Sequence, residues 1–202
     1  MATRAETAAA TRRALLDAAG GLLDFGGPDA VTLREVGARA GVSRSAPYRH
    51  FADKESLLTA IAAEAWNDIA DGLEALAASK AAPEKTLRGA LLSLITIARS
   101  RPHLYQLMFT TPAADPTAVV KAAERSHELF LDIVARVVGP RIARQYGALL
   151  LTSTHGAIGL QLSGHLGTDK WQSTAEDVIN LAISRLPARR SRQEAVGRVL
   201  VR

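Results

Sequence analysis

Apolar side chains in this 202-residue sequence recur at spacings of three and four, and no run alternates with period two for the length of a strand. That pattern admits helices and little else, so the predicted class is all-α. Leu15, Leu16, Ala19, Leu22 and Leu23 mark a first amphipathic helix over about 7–25, which stops at Gly26-Gly27-Pro28. Gly26 is expected as the left-handed C-cap residue, with Pro28 as the breaker. Within this helix Gly20-Gly21 is a defect of roughly 1 kcal/mol per glycine relative to alanine, which close packing against a neighbour would explain. Later breaks at Pro83, Pro102, Pro112, Pro116, Gly139-Pro140 and Gly167 predict helices over about 84–100, 102–110, 116–138, 140–166 and 171–186.

Between these lies TLREVGARAGVSRSAPYRHFADKESLL, residues 32–58. TLRE is a capping box, with the Thr32 hydroxyl accepting from the Glu35 N–H and the Glu35 carboxylate reaching back. The helix it starts ends at Gly41. Ser43 is expected to cap a short helix, RSAPYRHF, in which Pro47 would be the fourth residue, and Asp53 to cap a long helix running through Trp66 and Ile69 to about Ala78. Helix, AGVS turn, helix is the outline of a helix-turn-helix, whose second helix enters the DNA major groove. Arg44, Ser45, Tyr48 and Arg49 are then the groove-facing candidates, with Val42 and Phe51 anchoring the ends in a core of Leu16, Leu23, Leu33 and Val36. Arginine suits a bidentate contact with guanine, while hydroxyls, histidine and lysine suit phosphate oxygens.

The charge balance has to be located before it supports this reading. A net charge of +5 with a pI near 10 suggests a nucleic-acid partner, yet residues 1–184 hold 19 basic and 19 acidic side chains. The excess sits in residues 185–202, which hold six arginines and one glutamate. That arginine-rich tail, Arg189-Arg190-Ser191-Arg192 included, is expected to be a solvated end, with nonspecific DNA contact as the alternative. The local segment makes the case instead: Arg34, Arg39, Arg44, Arg49 and Lys54 face Glu35, Asp53 and Glu55, and Glu35 and Asp53 are engaged as caps. The absence of cysteine removes disulfide scaffolds, Cys-ligated zinc, iron–sulfur clusters and thiol catalysis, and suits a reducing cytoplasm. His103 and His127 lack partners at ligand spacing, so no metal and no cofactor are expected. The uncharged stretch Gln145–Thr168 has membrane-spanning length, but its glutamines, histidines and hydroxyls argue against hydrocarbon, so no membrane partner is expected.

GVSRSAPYRHFADKESLL, preceded by TLREVGARA and the FGG turn, resembles the DNA-binding domain of the TetR/AcrR transcriptional regulators over residues 8–58. The resemblance implies a homodimer on double-stranded DNA at a pseudo-palindromic operator, usually repressing and released by a small-molecule effector held in a C-terminal helical domain. Carried over by position, Arg44, Ser45 and Ala46 would meet base edges, and Thr32, Arg34, Tyr48, His50 and Lys54 would meet phosphates. RPHLYQLMF followed by THGAIGLQLSGHL is similar to the subgroup named for a Trp-His-Gly motif, although Thr154 stands where that subgroup has tryptophan. The implied division is a helix-turn-helix domain over 1–58, a regulatory and dimerisation domain over 59–187, and the tail over 188–202.

Within the second domain, Trp66, Leu104, Met108, Phe109, Phe130 and His155 are the candidate lining of a ligand pocket. Ala148, Thr152, Gly156, Gly159 and Ser163 form a stripe of small residues on one helix face that a second helix can approach closely. With the last helix this stripe is the expected dimer interface, and Leu149, Leu150, Ile158 and Leu160 are expected to pack inward. Pro47→Ala is expected to leave folding intact and alter operator discrimination. The alternatives are a helix-turn-helix protein without a ligand and an all-helical enzyme. G-x-S-x-G, H-E-x-x-H, a phosphate-binding glycine loop and a Cys–His pair are all missing, so no catalytic residue is assigned.

Overall fold

The computed structural model of the chain describes residues 3–187, and every regular element among them is a helix. In order these are α1 (Arg4–Gly26), a 3-10 turn (Pro28–Ala30), α2 (Leu33–Arg39), α3 (Ala46–His50), α4 (Lys54–Ala78) and α5 (Pro83–Ser100). There follow α6 (Pro102–Met108), α7 (Thr117–Val138), α8 (Ala143–Leu162), α9 (Thr168–Trp171) and α10 (Ala175–Ser184). The all-α expectation is met, while the arginine-rich tail after Pro187 lies outside the described residues. None of the described helices is long and apolar enough to cross a membrane.

Outside the segment between α2 and α3, three boundaries differ most from expectation, each for a local reason. The left-handed residue after α1 is Gly27 at φ +69°, with its N–H closing on the Leu23 carbonyl, and Gly26 is still helical. A β-carbon at Gly27 would also sit 3.2 Å from the His103 ring, so both conformation and space select glycine there. The helix expected over 140–166 is shorter, because the His165 and Leu166 N–H groups turn back onto the Leu160 carbonyl and Gly164 takes φ +74°. The last expected helix divides at Gln172, whose φ is +49°, and restarts at Thr174. There the Asp177 N–H donates to Thr174 Oγ1, while the Asp177 carboxylate accepts from the Thr174 hydroxyl and from the Thr174 N–H, and these two bonds hold that carboxyl below its ordinary range.

The described residues belong to two compact units, one drawn from Met1–Ala70 and Thr96–Ser126, the other from Asp71–Ile95 and His127–Arg202. The unit boundaries fall inside α4, α5 and α7, and the division expected after residue 58 falls inside α4. In the first unit α1 packs against α2, α3 and α6 around Leu15, Leu23, Val31, Val36, Phe51 and Leu57. The Gly20-Gly21 pair makes room for two guanidinium groups: a β-carbon at Gly20 would lie 3.3 Å from Arg101 Nη2, and one at Gly21 3.1 Å from Arg39 Nη2. Arg101 Nε in turn pairs with Asp24 at 2.9 Å, tying α6 to α1.

In the second unit α8 packs on α10, and Leu87, Leu91, Ile133, Leu150, Ile158 and Ile179 are fully buried. Arg88 Nε donates to Asn180 Oδ1 at 2.6 Å and the Ala175 N–H to Gln161 Oε1 at 2.9 Å, fixing α10 from two sides. The inward face predicted for α8 is only half correct. Leu150 and Ile158 are buried, but Leu149 and Leu160 are 53% and 51% exposed, because α10 covers one side of α8 and leaves theirs open.

Candidate nucleic-acid interface

The turn between α2 and α3 is built from the backbone outward. Thr32 Oγ1 accepts from the Glu35 N–H at 3.2 Å, so half of the expected capping box forms and starts α2. Gly41, at φ +66°, reverses the chain after Ala40, and the Val42 N–H returns to the Gly37 carbonyl at 3.2 Å. The Ser43 carbonyl accepts from the Ala46 N–H at 2.9 Å, which makes Ser43 a turn residue, not the side-chain cap expected for α3. The helix starts at Ala46, two residues later than a Ser43 cap would place it. Pro47 is therefore its second residue, where a missing N–H leaves no helical carbonyl unpaired.

Pro47 is buried, and its Cγ lies only 2.8 Å from where a β-carbon on Gly37 would stand. Any side chain at 37 would push α3 away from α2. This contact sets the pitch of the motif, and sequence reasoning missed it: Gly37 was given no role, and Pro47 was expected only to fix the start of the helix, with its replacement sparing the fold. Asp53 and Ser56 then exchange bonds, with the Ser56 N–H donating to Asp53 Oδ1 at 2.7 Å and the Asp53 N–H to Ser56 Oγ at 3.2 Å. That closes the start of α4 as expected. Arg12 stacks over the Phe51 ring at 5.3 Å, joining α1 to the end of α3.

On this frame Thr32, Arg34, Arg44, Ser45, Tyr48 and Arg49 are exposed, Tyr48 by 58% despite its size. His50 and Lys54 are half-buried. Ala46 departs from its expected role: at 3% exposure its methyl group faces the core, since α3, with five residues, is shorter than two turns and must bury its first residues on α2. Arg34, Arg44 and Arg49 form no ion pair among the described residues, so their guanidinium groups are free for an external anion. Among the described residues the only ion pair of Lys54 is a loose one, 3.9 Å to the fully exposed Asp29 carboxylate.

The candidate pocket residues are divided between the two units. Trp66, Leu104, Met108 and Phe109 belong to the first unit and Phe130 and His155 to the second. Trp66 is a satisfied packing residue: its Nε1–H donates to the Met108 carbonyl at 3.2 Å and its ring meets Phe109 edge-on at 5.4 Å. Tyr105 joins that cluster, and burial pushes its phenol up to about 12. His155 is exposed on α8. Ala148, Thr152, Gly156 and Gly159 on that helix and Ser163 at its C-cap are all exposed, and a β-carbon at Gly156 or Gly159 would meet nothing within 4 Å. Among the described residues no three His, Asp or Glu side chains gather as metal ligands.

Residues 15–61 match the family model described as bacterial regulatory proteins, tetR family, and residues 87–186 match a tetracyclin repressor-like C-terminal domain. No curated relative matches the chain. Among solved structures, a Rhodococcus sp. RHA1 protein of unknown function is 27% identical with a TM-score of 0.71, over 86% of this chain and 92% of that one. A TetR transcriptional regulator from the same organism is 23% identical with a TM-score of 0.62, over 89% and 99%. A TetR-family transcriptional regulator from Streptomyces coelicolor is 23% identical with a TM-score of 0.60, over 96% and 99%. At such identities the last two likenesses concern the fold.

Proposed function

The chain belongs to the TetR family of transcriptional regulators, and from that premise we propose that it binds a pseudo-palindromic DNA operator as a homodimer, represses, and is released by a small-molecule effector. One observation supports the DNA reading most directly. Arg44, Ser45, Tyr48 and Arg49 are all exposed around a short helix whose position is set by the Gly37–Pro47 contact, and neither arginine has a counter-charge among the described residues. In this reading Arg44 and Ser45 meet base edges, while Thr32, Arg34, Tyr48, Arg49, His50 and Lys54 position the motif on phosphates. Ala46 is left out as buried.

The dimer rests on the open face of α8. Small residues 148, 152, 156, 159 and 163 together with half-exposed Leu149 and Leu160 offer a second copy a close helix contact flanked by apolar side chains. Two motifs related by that contact read half-sites about one helical turn, ~34 Å, apart. The functional division is residues 1–58 for DNA and 59–187 for dimerisation and regulation, in a cytoplasmic setting that suits a chain without cysteine. The likeness to the Trp-His-Gly subgroup extends the proposal to the second unit, with buried Thr154 in the tryptophan position.

Selection of bound sequences from a random DNA pool tests the proposal. An inverted repeat should emerge, and Arg44→Ala should relax preference at one base step of each half-site at a cost of about 1–3 kcal/mol. Binding without sequence preference would overturn it.

A further inference from the structure

A cleft of about 370 Å³ opens in the first unit between the first turns of α4, the length of α6 and the segment after it. Its volume falls at the small end of ligand sites, about 300–1,000 Å³. None of the six candidate pocket residues lines it. The floor is apolar, from Leu58 of α4 and Leu107 of α6, and the polar groups around it include Lys54, Glu55, His103, Gln106 and Thr111. The side chains of His103, Gln106 and Thr111 make no hydrogen bond among the described residues. Lys54 has only its loose pair with Asp29, whose wholly exposed carboxylate is screened by water.

We propose that this cleft is an effector site for a small amphipathic monocarboxylic acid, whose apolar part rests on Leu58 and Leu107 and whose carboxylate takes Lys54. An acid fits better than an amine, because a carboxylate lying on an apolar floor is less exposed to water than Asp29 and pairs more strongly with the ammonium. A single acid group fits better than two, because Glu55 also lines the cleft and repels a second anion. His103, Gln106 and Thr111 supply donors that orient the acid group.

The site has a consequence for regulation, and that part rests on the DNA reading above. Lys54 is there a phosphate contact, and one ammonium cannot serve a phosphate and a ligand carboxylate together. Ligand binding would then remove one phosphate contact per half-site without any change in the fold. The dependence of log affinity on log salt should become shallower by about one for each Lys54 so occupied.

Calorimetry of the full chain with straight-chain carboxylates from butyrate to decanoate, each beside its matched alcohol, tests the site without DNA. At least one carboxylate should bind, and its alcohol should bind about tenfold more weakly, the discrimination expected of one charge-assisted hydrogen bond. Lys54→Gln should bring acid and alcohol together. Thr111→Trp and Gln106→Trp, both at exposed positions, should fill the cleft and weaken both ligands about tenfold or more at unchanged helicity, as burial of a large ring in the ligand's space requires. Absence of binding by every carboxylate, or binding indifferent to both tryptophans, overturns the proposal. With the selected operator, the bound carboxylate should lower affinity for the unsubstituted chain and leave Thr111→Trp unaffected; equal operator affinity with and without it overturns the Lys54 coupling. A chain that selects no DNA but keeps the acid preference and its loss in Lys54→Gln refutes the DNA reading and supports the ligand site.

Discussion

Gly37→Ala is the smallest change that tests how the helix-turn-helix is held together. The new methyl group would lie 2.8 Å from Pro47 Cγ, closer than two carbons can stand, and a proline ring cannot rotate away. Overpacking of this kind costs about 1–3 kcal/mol, while replacing a helical glycine by alanine returns about 1 kcal/mol, so the net loss should be near 1 kcal/mol. Pro47→Ala alone should cost about 2 kcal/mol, from two buried methylenes at about 0.8 kcal/mol each and a freer unfolded chain.

With Pro47 gone the space opposite residue 37 is open. Adding Gly37→Ala to Pro47→Ala should then stabilise by about 1 kcal/mol, giving a coupling of about 2 kcal/mol between the two positions. Urea unfolding of the four chains at one protein concentration, followed by circular dichroism, measures it. Gly72→Ala serves as control, since no atom lies within 4 Å of its β-carbon position; it should stabilise by about 0.5–1 kcal/mol in every background. If the effects of Gly37→Ala and Pro47→Ala add to within about 0.5 kcal/mol, the contact does not set the α2–α3 packing and the argument for the reading surface loses its frame. The earlier expectation that Pro47→Ala spares folding is replaced by this one, because Pro47 is buried.

Three further outcomes follow from the packing. Thr154 is 1% exposed and its Oγ1 has no partner among the described residues, so Thr154→Val should stabilise by about 1 kcal/mol and raise Tm by about 2–4 °C in a thermal melt; a lowered Tm would show that the hydroxyl is in fact satisfied. Burial raises the Tyr105 phenol from 10.0 to about 12, so the folded state favours the neutral form: the associated stability is complete below pH 10, is lost as pH rises through 12, and should vanish from the alkaline urea midpoint in Tyr105→Phe. Leu149→Glu with Leu160→Glu places charges on the open face of α8 and should halve the mass seen by light scattering while leaving helicity unchanged; an unchanged mass would place the dimer contact elsewhere.

The helices and most of their ends were legible because their signals are local. Thr32, Asp53 and the prolines act within a turn of where they stand, and apolar spacing reports the buried face of a long helix directly. The start of α3 was misread because a serine two residues after a glycine satisfies a cap pattern whether or not its hydroxyl points at the helix. Exposure of Leu149 and Leu160 was misread because spacing alone does not say which side of α8 a neighbour covers. The guanidinium groups over Gly20 and Gly21 came from residues 101 and 39, far enough along the chain that no window on α1 contains them.

By itself, then, the order of residues determined an all-helical chain with a basic helix-turn-helix near its start, since hydrogen bonding within a helix and the fixed φ of proline depend on near neighbours. Only the tertiary structure decided that Pro47 braces the motif from inside, that Ala46 is buried, that Trp66 is packing, and that Lys54 shares a cleft with His103 and Thr111. Those facts depend on which distant side chains arrive at the same place, and steric exclusion between them acts only once the helices have met.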